Sequence, residues 1–169
     1  KEFQPTLSRG GDMAMDFLAG VYNGLFMWCV SSATSDDPVN LMEAATDEQD
    51  QRYPSAGMLE NEIISGTFGG TTQSFLKNSW NKLYSSIRAA NTFLKNVDLS
   101  PLSAALKERT KAEARFLRAY FYSCLLQGWG GVPIVMDTVY SLDSYPDAAR
   151  SNYADCVNYI VSELDAVAS

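Results

Sequence analysis

The sequence predicts an all-α fold. Four separate segments repeat apolar residues at alternating spacings of four and three, which lays them along one face of a helix. The one run that reads as extended is short, Val132-Pro133-Ile134-Val135-Met136. Breaker clusters such as Gly128-Trp129-Gly130-Gly131 and Tyr145-Pro146 fall between the periodic segments, where connections belong.

The first helix is expected from about Asp12 to Val30, with the stripe Ala14, Leu18, Val21, Leu25 and Trp28. Gly20 and Gly24 lower its intrinsic propensity by up to about 1 kcal/mol each, so packing must hold it, and small residues there let another helix approach closely. From Ser31 to Gly70 the period fades into Ser, Thr, Asp, Asn, Gly and Pro. A loop of that length inside a domain is often functional, which makes it the first place to look for a binding surface.

The second helix is expected from about Thr72 to Val97, on Leu76, Trp80, Leu83, Ile87, Ala90 and Leu94. The third begins at Ser100-Pro101, with serine as the cap and proline in the first helical position. It runs to about Gln127, with Leu117, Phe121 and Cys124 on one face and Phe116 and Tyr120 beside them. The fourth opens at Asn152, with Asp155 three residues on as an imperfect capping box. Its stripe is Tyr153, Val157, Ile160, Leu164 and Val167.

Helix pairs joined by short turns suit an α-solenoid of the tetratricopeptide kind, although no repeat of about 34 residues is legible. The last helix stops with its apolar face unfinished, and the chain opens at Lys1-Glu2-Phe3 without a methionine. Residues 1–169 therefore read as one helical region of a longer chain, incomplete at both ends.

Composition narrows the function. The net charge is −7, from 20 acidic and 13 basic residues, and a field of that sign disfavours nucleic acid and anionic lipid as partners. There is no histidine, so serine–histidine and cysteine–histidine nucleophile systems cannot be assembled within this chain. Cys29, Cys124 and Cys156 are far apart, without CxxC spacing; they read as small buried hydrophobes rather than zinc or redox groups. No stretch reaches the roughly 18–20 uninterrupted apolar residues of a membrane span. No cofactor is implied.

One block is specific enough to suggest a family. Ala112-Glu113-Ala114-Arg115-Phe116-Leu117-Arg118-Ala119-Tyr120-Phe121-Tyr122 leads into Trp129-Gly130-Gly131-Val132-Pro133-Ile134. Upstream stand Trp80, Tyr84, Ile87, Ala90 and Asn91, and before them Thr46-Asp47-Glu48; downstream, Tyr153 to Leu164 carries Glu163 near its end. Taken in order, these four blocks resemble the N-terminal part of SusD/RagB-like proteins. The resemblance implies a tetratricopeptide-like scaffold with long loops and little strand. It also implies a non-catalytic surface lipoprotein of a Bacteroidota outer membrane, which holds an oligosaccharide or other nutrient and delivers it to a SusC-like TonB-dependent transporter. The family's lipidated cysteine is expected upstream of Lys1, and its large C-terminal portion lies outside this sequence.

Sugar binding asks for an aromatic ring against the apolar face of a pyranose, with polar groups in the ring plane for the hydroxyls. In the long loop Arg52 and Tyr53 supply both kinds side by side, and Phe68 adds a ring; these three are the candidate ligand residues. Asp47, Glu48 and Asp50 read as a solvated loop or cap, with carboxylate catalysis of glycan cleavage or calcium binding as the sharper alternatives. A tetratricopeptide-type adaptor gripping a peptide is the remaining rival. Arg115 and Arg118, with Tyr122, are either a cationic rim for a ligand or arginines whose stems pack while their heads meet carboxylates; the second is favoured. Trp80 reads as core, whereas Trp129 is balanced between sealing the helix end and facing a ligand.

Overall fold

Among the described residues, the helical periods become four α-helices in the computed structural model. They are α1 (Gly10–Tyr22), α2 (Ser74–Asn96), α3 (Ala104–Trp129) and α4 (Tyr153–Ala168), with 3-10 turns over Asn23–Met27 and Val97–Leu99. The structure describes residues 10–27, 66, 74–140 and 148–168, and among them there is no strand. No helix among the described residues is long and apolar enough to cross a membrane. The chain divides into two units, residues 1–25 with 83–169, and residues 26–82. In the second, Ser79 on the first turns of α2 is buried and Trp80 is half-buried. All the buried hydrophobic residues among the described residues belong to the first.

In α1, Ala14, Leu18 and Val21 are buried as their spacing requires. The helix ends at Tyr22, earlier than the period predicts, and tightens into the 3-10 turn; Trp28 lies outside the described residues. Of Gly20 and Gly24, only Gly24, which falls in the 3-10 turn, serves a close approach. A Cβ there would stand 2.5 Å from Ser86 Oγ and 2.8 Å from the Phe121 ring, whereas one at Gly20 would meet nothing within 4 Å. Phe17 stacks on Phe93 of α2, with ring centroids 6.4 Å apart.

Leu83, Ile87 and Ala90 of α2 are buried, joined by Phe93 and by Val97 just beyond the helix. The start of α3 is displaced from its expected place. Ser100 Oγ donates to the Val97 carbonyl at 2.6 Å and closes the 3-10 turn. Ser103 is the cap instead, accepting from the Leu106 N–H at 3.4 Å, and Pro101 stays outside the helix. The Ser-Pro-Leu-Ser stretch offers two serines, and the preceding turn takes the first.

Helix α3 is the central element. Ala114, Leu117, Ala119, Phe121, Tyr122, Cys124, Leu125 and Leu126 are all buried, more than one face can hold, so this helix is covered on several sides. It packs mainly along α4 and also against α1. Its end comes two residues past Gln127, where Gly130, at φ +70°, donates its N–H to the Leu126 carbonyl at 3.0 Å. That left-handed conformation favours glycine.

The start of α4 is as expected, with Asn152 Oδ1 accepting from the Asp155 N–H at 2.8 Å. Its apolar stripe is only partly covered. Val157, Ile160, Leu164 and Val167 are half-buried and Tyr153 is 61% exposed, while the fully buried positions, Cys156 and Glu163, lie on the adjoining face. Polar pairing with α3 sets this register, and hydrophobic periodicity is blind to it. Cys124 and Cys156 are buried and form no disulfide with any described residue; Cys29 lies outside the described residues.

Candidate functional site

The Val132–Tyr140 segment pairs with no strand among the described residues, so its backbone groups must find other partners. Side chains of three helices supply them. Tyr84 donates to the Pro133 carbonyl at 2.7 Å, and Tyr122 Oη accepts from the Val135 N–H at 2.9 Å. Asn91 Nδ2 donates to the carbonyls of Met136 at 2.7 Å and Thr138 at 3.2 Å. Arg88 donates to the carbonyl of Tyr140. At the near end, the Cys156 thiol meets both backbone groups of Val132. Extended backbone is thus tied down by tyrosine, asparagine, arginine and cysteine in place of a neighbouring strand. Met136 takes a positive φ of 46°, uncommon for a residue with a side chain, and turns its carbonyl and Asp137 toward Arg118.

Arg118 is the hub. It is 2% exposed, and all three guanidinium nitrogens are engaged. Nη2 and Nε donate to Glu163 Oε2 at 2.5 and 3.2 Å. Nη1 donates to Asp137 Oδ1 at 2.5 Å and Asn91 Oδ1 at 2.7 Å, with the Met136 carbonyl further off at 3.4 Å. Arg115, one turn earlier, meets Glu163 Oε1 at 2.9 Å through Nη2. Burial pushes the Glu163 carboxyl up, but hydrogen bonds from Arg115 and Arg118, with their charges, outweigh it and hold the group below its ordinary value. The arginine fork is the one side chain able to reach helix α4, helix α2 and the turn at once. Of the two readings of Arg115 and Arg118, the structural one holds for Arg118, whose neighbour Tyr122 is also buried.

Beside this hub Tyr159 packs edge-on against Tyr122, with centroids 5.2 Å apart. Its hydroxyl is enclosed and has no hydrogen-bond partner among the described residues, and burial raises its pKa. An enclosed unpaired hydroxyl costs about 1–3 kcal/mol. Tyr159→Phe is therefore expected to leave stability unchanged or raise it by about 1 kcal/mol, read as the urea midpoint; a clear loss would mean the hydroxyl has a partner.

A cleft of about 720 Å³ is lined by Asn91, Leu94 and Lys95 of α2, Arg115 of α3, and Asp137, Thr138 and Val139 of the turn. Arg115 is the part of the expected cationic rim that does face an opening. Sequence reasoning passed over Lys95, although it follows Asn91 by one helical turn and so shares its face. Arg52, Tyr53 and Phe68, and the acidic Asp47, Glu48 and Asp50, lie outside the described residues. Trp129 is half-buried at the end of α3. Among the described residues no group of three or more acidic or cysteine side chains is placed to hold a metal ion.

A family model described as SusD-like, "starch-binding associating with outer membrane", matches residues 26–169, and the chain belongs to that family. Among solved structures, a laminarin-binding SusD-like protein aligns at a TM-score of 0.78 and 18% identity, over 92% of this chain and 33% of its own. A SusD-like carbohydrate-binding protein from Bacteroides fragilis aligns at 0.73 and 26% identity, over 94% and 31%. A SusD superfamily protein from Parabacteroides distasonis gives 0.73 at 18% identity, over 96% and 34%. The chain thus spans about a third of the length of these solved relatives. No curated protein matches the sequence.

Proposed function

We propose that residues 1–169 are the N-terminal helical part of a non-catalytic nutrient-binding protein on the outer-membrane surface, held there by a lipid anchor upstream of Lys1. It captures an oligosaccharide and passes it to a SusC-like TonB-dependent transporter. The observation that carries this reading is the family match over residues 26–169, and the carbohydrate-binding description of the Bacteroides fragilis relative supports the cargo class. The described helices form a braced scaffold, and the Arg52, Tyr53 and Phe68 loop is the proposed place for stacking and hydrogen bonding to sugar.

The test is a pull-down from an outer-membrane extract with the tagged full-length protein, paired with a glycan array. Recovery of a large TonB-dependent barrel and retention of at least one carbohydrate are the expected results. Release of new reducing ends from a bound polysaccharide would replace the binding reading with an enzymatic one. Capture of a peptide partner that survives excess glycan, with no barrel, would favour an adaptor.

A further inference from the structure

The cleft between α2 and the Met136 turn carries charge that the scaffold does not consume. Lys95 is exposed and makes no ion pair or hydrogen bond with any described residue. Arg115 spends Nε and Nη2 on Glu163 and leaves Nη1 free among the described residues. Asp137 gives Oδ1 to Arg118 and, with its side chain 84% exposed, keeps Oδ2 toward solvent. Asn91 takes no part in recognition, because both its amide hydrogens and its oxygen are already committed. Among the residues lining the cleft stand two cations, Lys95 and Arg115, against the one carboxylate of Asp137. The local balance is positive in a chain whose net charge is −7.

We infer that this cleft is a subsite for an acidic saccharide, a sugar bearing a carboxylate such as a uronic acid. The carboxylate goes to Lys95 and the free Nη1 of Arg115, as charge-assisted donors require. The hydroxyls are read by the open oxygen of Asp137 and by Thr138, and Leu94 and Val139 offer apolar contact to the ring. Asp137 decides against a free phosphate, since a compact anion would meet its negative charge and have no hydroxyls to donate to it. The volume lies within the range of small-molecule sites, about 300–1,000 Å³. The inference rests on the glycan-binding reading for the class of molecule and adds which glycans the protein prefers.

The experiment is calorimetric titration of the full-length protein with trigalacturonate and with the neutral trisaccharide cellotriose, at low and high salt. Trigalacturonate is expected to bind more tightly and to weaken as salt screens the cations. Lys95→Gln should weaken it about tenfold, the equivalent of roughly 1.4 kcal/mol for one charge-assisted contact, and Lys95→Glu should abolish it. Lys95 stands in the last turn of α2, where a cation stabilises the helix end only weakly, so both variants should remain folded at the temperature of the titration. Neutral glycans bound on an array with no preference for the acidic trisaccharide would overturn this inference and leave the general reading standing. Unchanged trigalacturonate affinity in Lys95→Glu would overturn it equally. No binding to any carbohydrate would remove both.

Discussion

Arg118→Ala should cost about 3–5 kcal/mol of stability, the usual penalty for stripping one partner from a buried ion pair. Against a total of roughly 5–15 kcal/mol for a domain, that is enough to unfold a large fraction of the molecules. The substitution leaves Glu163 buried on α4 with only Arg115 to answer it, and it removes the partner of Asn91 Oδ1 and Asp137. A urea titration followed by circular dichroism reads the loss, and a change under about 1 kcal/mol would refute the hub. A second comparison separates pairing from packing. Arg118→Met with Glu163→Leu should be more stable than Arg118→Met alone, because the double change leaves no buried carboxylate short of a partner, Asp137 being exposed to water. The pH dependence has a definite sign. The Glu163 carboxyl is held below its unfolded value, so its contribution is complete above the ordinary carboxylate range, near about pH 4.3. It is lost as pH falls through the lower folded value, and the wild type should lose more stability on acidification than the double variant.

Gly131→Val should cost about 3 kcal/mol, the upper part of the usual penalty for overpacking. A Cβ at Gly131 would stand 2.1 Å from the Ser151 carbonyl oxygen and 3.2 Å from backbone carbons of Ser151 and Asn152. These are main-chain atoms and cannot swing aside. The same strand of chain is tied to Val132 by the Ser151 N–H at 3.2 Å, so relief would break that bond and shift the start of α4. The thermal midpoint measures this, with Gly20→Ala as the comparison, since a Cβ there meets nothing and alanine favours a helix. Equal midpoints for the two variants would mean that the approach of residues 131 and 151 is not enforced.

Periodicity made the helices legible because hydrophobic burial repeats every turn. The spans of α2 and the buried positions Ala14, Leu18, Val21, Leu83, Ile87 and Ala90 follow from apolar spacing alone. Boundaries were less legible where two residues compete for one job, as at Ser100 and Ser103, because a cap is chosen by which serine the preceding turn leaves free. The face of α4 was only partly legible, for a deeper reason. Its fully buried residues are a cysteine and a glutamate, and a search for apolar stripes assigns the glutamate to solvent.

The candidate site divides in the same way. The motif spanning Glu113 to Pro133 pointed to the family, and Arg115 was legible as a residue with a choice between scaffold and ligand. Lys95, Asp137 and Thr138 carry no signal in sequence, since they come from a helix and a turn about 40 residues apart that meet only when Asn91 and Arg118 bind the Met136 turn. The sequence by itself determined the helices among the described residues, the core stripes of α1 and α2, and the family. Tertiary structure alone decided that Arg118 is consumed as a buried fork while Arg115 and Lys95 keep donors facing an opening. Hydrophobic periodicity is a local property of the chain, whereas the partner of a charge is set by what folds against it.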